Sequence, residues 1–252
     1  MASFDNKQVY IVTGASSGLG EATALLLNEK GATIIAIARN EQRLLNLKTK
    51  CKNPQNLHIE IKDLTTNIES LPQYVKELKE KYGKFSGMAY CAGISSLTAL
   101  RMLEYDCLKN IFDINYFAPI MMTKGIADKR NNVCKGCSLV YTSSIDAVLS
   151  SKGQFAYSGS KAALSASIKS ISRELVNNGI RANCVLPSMI KTPMTCNTLS
   201  ESVNIVPIEQ NEEYPFGWGE PNDVANMIVY LLSDKAKFIS GQNYIIDSGG
   251  VL

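Results

Sequence analysis

Val9-Tyr10-Ile11-Val12-Thr13-Gly14-Ala15-Ser16-Ser17-Gly18-Leu19-Gly20-Glu21-Ala22-Thr23-Ala24-Leu25-Leu26-Leu27 is the stretch on which the fold turns. Its first five residues are mostly β-branched or aromatic, the composition of a buried strand, and its last seven are helix formers. Three glycines make the joint between them. Glycine lets the backbone turn tightly and approach a pyrophosphate, and the free N–H groups and positive dipole end of the following helix attract one. Glycine at a strand-to-helix joint also serves purely steric ends, so the phosphate reading draws its weight from the turn's position after the first strand.

Outward from this joint, strand-like runs at Gln8 to Thr13, Thr33 to Ala38, Leu57 to Ile61, Gly87 to Cys91, Ser138 to Ser143, Arg181 to Leu186 and Tyr244 to Ile246 alternate with helical patterns near 19–30, 41–51, 68–82, 98–130, 154–178 and 221–233. That alternation predicts an α/β protein: a doubly wound, seven-stranded parallel sheet with helices on both faces. No linker, repeat or low-complexity tract interrupts it, so residues 1–252 read as a single domain. Residues 192–219, rich in Thr, Asn, Glu and Pro, fit neither pattern and are expected to form a long loop over a substrate.

Composition removes several function classes. The chain has 252 residues, 45% of them hydrophobic, and 26 basic against 23 acidic side chains. No dense basic run with interleaved aromatics suggests nucleic acid. No apolar stretch approaches the roughly 18 residues of a membrane span, and the N-terminal residues carry no signal-peptide pattern. Seven scattered cysteines suit a reducing compartment without structural disulfides. Cys134 and Cys137 form a CxxC that reads as a plain loop, with zinc binding or thiol exchange as the alternatives; no metal site is expected. The only histidine, His58, lies in the third strand pattern and gives little support to His-based catalysis.

The spacing Gly-x3-Gly-x-Gly resembles the TGxxxGxG turn of the short-chain dehydrogenase/reductase family. Ordered matches continue along the whole chain: Asp63-Leu64 after the third strand, Cys91-Ala92-Gly93 after the fourth, Asn115 in a long helix, Ser144 after the fifth strand, Tyr157-x3-Lys161, Pro187-Ser188 after the sixth, and Ile246-Asp247-Ser248-Gly249-Gly250. The resemblance, which extends to 3-oxoacyl-ACP reductase-like members, implies a single-domain Rossmann fold, direct hydride transfer between a nicotinamide and a carbonyl or alcohol, a cytoplasmic location, and a homotetramer or homodimer packed through the helices near 98–130 and 154–178. It places the cofactor against Gly14, Ser16, Ser17, Gly18, Leu19 and Gly20, with Asp63 and Leu64 bordering the adenine. Ala92, Gly93 and Pro187 then follow, with Ile190 and Thr192 at the carboxamide and Tyr157 and Lys161 at the reacting end. Three residues depart from the family pattern: Cys91 for an Asn that ties the central sheet, Ser188 for a Gly, and Ser248 within the Asp-Gly-Gly ending.

The end of the second strand bears on the choice of cofactor. NAD-binding sites place a carboxylate there for the ribose 2′-hydroxyl, whereas this chain has Ala38 followed by Arg39. A 2′-phosphate needs a cation and is repelled by a carboxylate, so NADP(H) is expected ahead of NAD(H), although Ser17 supplies no second base in the turn.

For chemistry, Tyr157 and Lys161 lie four apart and share a helix face. A phenol ionises near pH ~10, and bringing it to neutrality takes roughly 4 kcal/mol, which a neighbouring ammonium and a cationic nicotinamide can share. Taken alone, the pair also fits a solvated helix face. Ser144, at the carboxyl edge of the fifth strand, is expected to hold the substrate oxygen, with Ser143 pointing to the other face. Asn115 either holds a water in a proton relay to Lys161 or caps or kinks its helix. The resulting expectation is reduction of a carbonyl by NADPH, with Tyr157 as acid. A noncatalytic NADP sensor and a thiol redox protein stand as rivals. The resemblance suits 3-oxoacyl thioesters, steroids, sugars and small ketones alike, and Met189, Met194, Leu149 and Trp218 are candidates for an apolar pocket.

Overall fold

The alternation seen in sequence becomes one seven-stranded parallel sheet in the order β3-β2-β1-β4-β5-β6-β7. The computed structural model describes residues 4–200 and 214–250, the side chains of 197–200 excepted. The strands are β1 (Val9–Thr13), β2 (Thr33–Ala38), β3 (Leu57–Ile61), β4 (Phe85–Tyr90), β5 (Cys137–Thr142), β6 (Ile180–Pro187) and β7 (Asn243–Ile246). Successive strand side chains point to opposite faces, so β1 sends Val9 and Ile11 into one core and Tyr10 and Val12 into the other.

One face is covered by α3 (Leu71–Tyr82), α5 (Ala118–Ala127) and α7 (Phe155–Leu175), through residues such as Val75, Met122 and Leu164. The other is covered by α1 (Gly18–Glu29), α2 (Glu41–Lys50) and α9 (Pro221–Leu232), through Leu27, Leu44 and Ile228. Because β2 and β4 flank β1 on opposite sides, the winding reverses there and opens a crevice at the carboxyl ends of the strands.

Two expectations are corrected. The single helix read over 98–130 is broken: a short 3-10 turn (Leu100–Met102) and α4 (Tyr105–Phe112) lead into a π-helical turn at Asp113–Phe117 before α5 begins. Ala118 N bonds Asp113 O five residues back, and the freed carbonyl of Ile114 accepts the Tyr90 hydroxyl at 2.8 Å. The segment read as irregular over 192–219 contains α8 (Pro193–Ser200), opened by a proline at its first position. Its central residues, 201–213, lie outside the described residues. Short α6 (Asp146–Leu149) was also not read from sequence.

Buried Arg181 on β6 ties the far end of α9 to the sheet. Its guanidinium donates to Leu231 O at 2.8 Å, Ser233 O at 3.1 Å and Ile239 O at 3.2 Å, where helix carbonyls favour a cation. Leu231 O keeps the Ser138 hydroxyl, Ile239 O the Asn183 amide and Ser233 O the Ala236 N–H, so Arg181→Leu removes three charge-assisted bonds without orphaning a carbonyl and is expected to cost about 2 kcal/mol in equilibrium denaturation. A loss below about 1 kcal/mol would contradict that account of α9.

Candidate active site

The glycine turn is built as its sequence demands. Gly14 has φ +65°, and a Cβ there would stand 2.9 Å from the backbone of Ala92, so the turn lies directly against the end of β4. Ser17 is the extended N-cap of α1, whose first N–H groups open towards the crevice. Across the opening, Thr192 abuts Gly18: a Cβ on that glycine would be 3.2 Å from the Thr192 methyl.

These segments border a cleft of about 820 Å³ at the carboxyl ends of the strands. Of the residues expected to hold a cofactor, all line it except Gly20, which sits behind the turn, where a side chain would strike the Gly14 carbonyl. At one end are Arg39, Asp63 and Leu64, joined by two cations the sequence reading missed, Arg43 and Lys62. Arg43 was detectable as a base one helical turn beyond Arg39. Arg39 pairs with Asp63 at 3.7 Å. Burial alone would raise the Asp63 carboxyl, but hydrogen bonds from Thr65 and the charge of Arg39 hold it below its ordinary value. N–H donors in the turn, hydroxyls of Ser16, Ser17 and Thr192, and three cations beyond them form a donor set suited to the phosphates of a dinucleotide.

Ser144, Tyr157 and Lys161 meet at the other end. Lys161 is buried; its Nζ donates to Thr142 O at 2.8 Å and lies 5.7 Å from the centre of the Tyr157 ring. Burial pulls Lys161 down to about 8. Burial pushes Tyr157 up to about 12, with the Ser144 hydroxyl working against it and the Asp146 carboxylate adding to it. The expectation that Lys161 draws the phenol towards neutrality is therefore corrected for the ligand-free protein: desolvation outweighs an ammonium anchored on Thr142. Ser143 is committed elsewhere, donating to Lys161 O at 2.9 Å and accepting from Ser165 at 2.8 Å. Ser144 Oγ accepts Asp146 N at 3.1 Å, leaving its own proton free to turn towards the cleft.

Asn115 is fully buried in the π-helical turn and does not line the cleft. Its amide donates to Ile94 O and Ser160 Oγ and accepts Ile94 N at 3.0 Å, so both of its hydrogens are used. Ser160 in turn donates to Tyr157 O at 2.7 Å. A methyl at residue 93 would stand 3.0 Å from Asn115 Oδ1 and 3.3 Å from Lys161 Nζ; glycine keeps the space between the two polar groups open.

The family departures have local compensations. Thr13 Oγ1 accepts both Cys91 N and Ala92 N at 3.1 Å, and Thr142 Oγ1 donates to Cys91 Sγ, so threonines tie β1, β4 and β5 together. Ser188 hydrogen-bonds Tyr214 at 2.8 Å and Ser248 accepts Phe216 N at 2.9 Å, so both serines anchor the same returning segment. Met194 lines the cleft, Met189 and Trp218 line a separate cavity of about 290 Å³, and Leu149 is exposed and lines neither. All seven thiols are free; Cys137 is buried as the first residue of β5 and Cys134 sits in the preceding turn. Among the described residues no helix is long and apolar enough to cross a membrane.

Comparison with known proteins agrees with this geometry. A family model described as Enoyl-(Acyl carrier protein) reductase matches residues 14–250. The 3-oxoacyl-[acyl-carrier-protein] reductase FabG of Thermotoga maritima is 32% identical, covering 97% of this chain and 98% of its own. The FabG of Rickettsia felis is 34% identical, covering 95% of each. A solved 4-hydroxyisoleucine dehydrogenase complexed with NADH superposes with a TM-score of 0.86 at 28% identity, covering 97% of this chain and 98% of that one. The fold and these similarities are those of an oxidoreductase. The chain belongs to the short-chain dehydrogenase/reductase family.

Proposed function

We propose that the protein is an NADP(H)-dependent reductase converting a carbonyl to a secondary alcohol. The observation that carries this reading is the convergence of Ser144, Tyr157 and Lys161 at one end of a cleft whose other end holds Arg39, Arg43 and Lys62. The reduced nicotinamide, when bound, supplies the hydride. Tyr157, protonated through the neutral range, gives its proton to the carbonyl oxygen, and Ser144 donates a hydrogen bond that fixes that oxygen. Lys161 binds the cofactor ribose and stabilises the phenolate left behind. Asn115 positions the 93–94 backbone beside Lys161 and links it through Ser160 to the start of α7. Its side-chain hydrogens being committed, a relay water there is held by an oxygen of Asn115. The similarity to two FabG proteins favours a 3-oxoacyl thioester or related substrate. A homotetramer or homodimer packed through α4, α5 and α7 belongs to the same proposal.

The test is oxidation of NADPH by wild-type protein across a panel of 3-oxo esters, thioesters, ketones and sugars. Carbonyl-dependent oxidation supports the reading; binding of NADPH without turnover of any member favours a sensor.

One observation favours NAD(H) as a second reading: Arg39 is already paired with Asp63, which partly neutralises the cation. The ratio of kcat/KM for NADPH and NADH separates the two. The expected preference for NADPH is at least about tenfold, and Arg39→Asp is expected to shift the ratio by about 100-fold towards NADH, because it replaces attraction of a phosphate with repulsion. An unmoved ratio would remove Arg39 from cofactor selection.

A further inference from the structure

The π-helical turn at Asp113–Phe117 leaves one carbonyl that no helical donor serves. In an α-helix Ile114 O takes the N–H of Ala118, but here that group is given to Asp113 O. The donor one residue further on, which a π-turn uses, is Pro119, and proline has no N–H. The hydroxyl of Tyr90, the last residue of β4, fills the vacancy by donating at 2.8 Å. Tyr90 is fully buried, and a buried carbonyl without a donor is costly, so this one hydroxyl stabilises the register of the turn.

That register decides where two neighbouring side chains go. Ile114 lines the cleft, and Asn115, one residue on, is turned inward to Ile94 and Ser160. A π-turn is one residue inserted into the α-helical pattern; without the insertion, one side of the helix rotates by about 100° about its axis relative to the other. Asn115 would then leave the 93–94 backbone, and its Oδ1 would leave the space beside Gly93 that it shares with Lys161 Nζ. The end of β4 thus grips the helix twice, through Tyr90 on Ile114 O and through Ile94 on Asn115, and the residues between, Cys91, Ala92 and Gly93, all line the cleft. Tyr141, beside Tyr90 in the sheet, spends its hydroxyl on Thr123 at 2.6 Å, beyond the turn.

We propose that Tyr90 is a positioning residue for the reduction: its hydroxyl holds the π-helical turn in the register that sets Asn115 opposite Lys161 across Gly93. Tyr90 does not line the cleft and acts through Asn115. This inference rests on the reductase reading and deepens it.

Reduction of ethyl acetoacetate by NADPH, or of the panel carbonyl that wild type prefers, is measured in wild type, Tyr90→Phe and Tyr141→Phe. Tyr90→Phe is expected to lower kcat about tenfold with KM for the carbonyl within about threefold, because the group opposite Lys161 is misplaced while the substrate wall is untouched. Tyr141→Phe deletes the same atom from the same core and is expected to keep kcat within about twofold of wild type. The falling limb of the pH profile, near pH 8 in wild type, is expected at lower pH in Tyr90→Phe alone, since an ammonium that loses a facing carbonyl oxygen gives up its proton more readily. Tyr157, Cys91 and Cys184, the titratable groups around Lys161, are unchanged in either variant. Amide hydrogen exchange over 113–118 is expected to quicken in Tyr90→Phe and not in Tyr141→Phe. Tyr90→Met, which also lacks the hydroxyl, serves the same purpose should the phenylalanine variant fail to fold. A Tyr90→Phe kcat within about twofold of wild type, an equal fall in Tyr141→Phe, or slowed turnover with an unmoved pH limb overturns the positioning role and leaves the reductase intact. A wild type that reduces no carbonyl overturns the reductase reading, and the positioning role with it.

Discussion

Tyr157→Phe is expected to lower kcat for carbonyl reduction by at least about 10³-fold while NADPH affinity stays within about threefold. Positioned proton donors contribute roughly 10² to 10⁴ in rate, and no other acidic hydrogen on this wall substitutes: Lys161 Nζ is anchored at Thr142 O, 5.7 Å from the centre of the Tyr157 ring, and the Ser144 hydroxyl is too weak an acid to complete the alcohol. The substitution deletes one oxygen and keeps the ring, so Ser144, Lys161 and the glycine turn remain in place. The pH profile of the wild type carries a second sign of the same chemistry. With its phenol pushed up to about 12, Tyr157 remains a proton donor across the neutral range, so the rate of reduction does not fall between pH 6 and 8 on its account. Lys161, pulled down to about 8, loses its charge first; the rate falls as pH rises through that value because the emerging phenolate loses its counter-charge. Variant turnover within tenfold of wild type would remove Tyr157 from the reaction.

How far this site was legible in the sequence depended on the kind of information each residue carried. Strand positions were recovered closely because β-branched runs such as Thr33 to Ala38 are buried on both faces and have few other conformations open to them. Gly14, Tyr157 and Lys161 were singled out because the family pattern fixes both residue type and spacing along the chain, and all three line the cleft. The π-helical turn at Asp113–Phe117 was not, since it depends on one extra residue per turn being accommodated by Tyr90 and Ile94, contacts distant in sequence. Lys62 was passed over because its place at the cleft follows from how the end of β3 sits against the end of β2. The direction of the Tyr157 shift was misread for the same reason: spacing reveals a neighbouring charge, whereas desolvation is a property of the packed structure.

Lys161→Met is expected to lose at least about 10²-fold in turnover and yet to give a more stable protein at neutral pH. In the unfolded chain the ammonium keeps its ordinary value of 10.5, whereas in the folded chain burial pulls it down to about 8. Between those two values the unfolded state binds more protons, so stability rises with pH across that window. Below about pH 8 the folded protein holds a desolvated charge at a cost of about 3 kcal/mol, and above pH ~10.5 that cost is gone. Methionine matches the apolar stem and removes the charge. Against this stand the lost bond to Thr142 O and the carbonyl left without that donor, about 1–2 kcal/mol. The net gain for the variant is therefore about 1–2 kcal/mol at pH 7, vanishing or changing sign near pH 10. Chemical denaturation of both proteins at the two pH values measures it directly. A Lys161→Met protein less stable than wild type at pH 7 would mean that the lysine is held for its contribution to folding. The expected result means instead that the chain tolerates a buried ammonium beside Tyr157 at a cost to its own stability, as a residue kept for chemistry does.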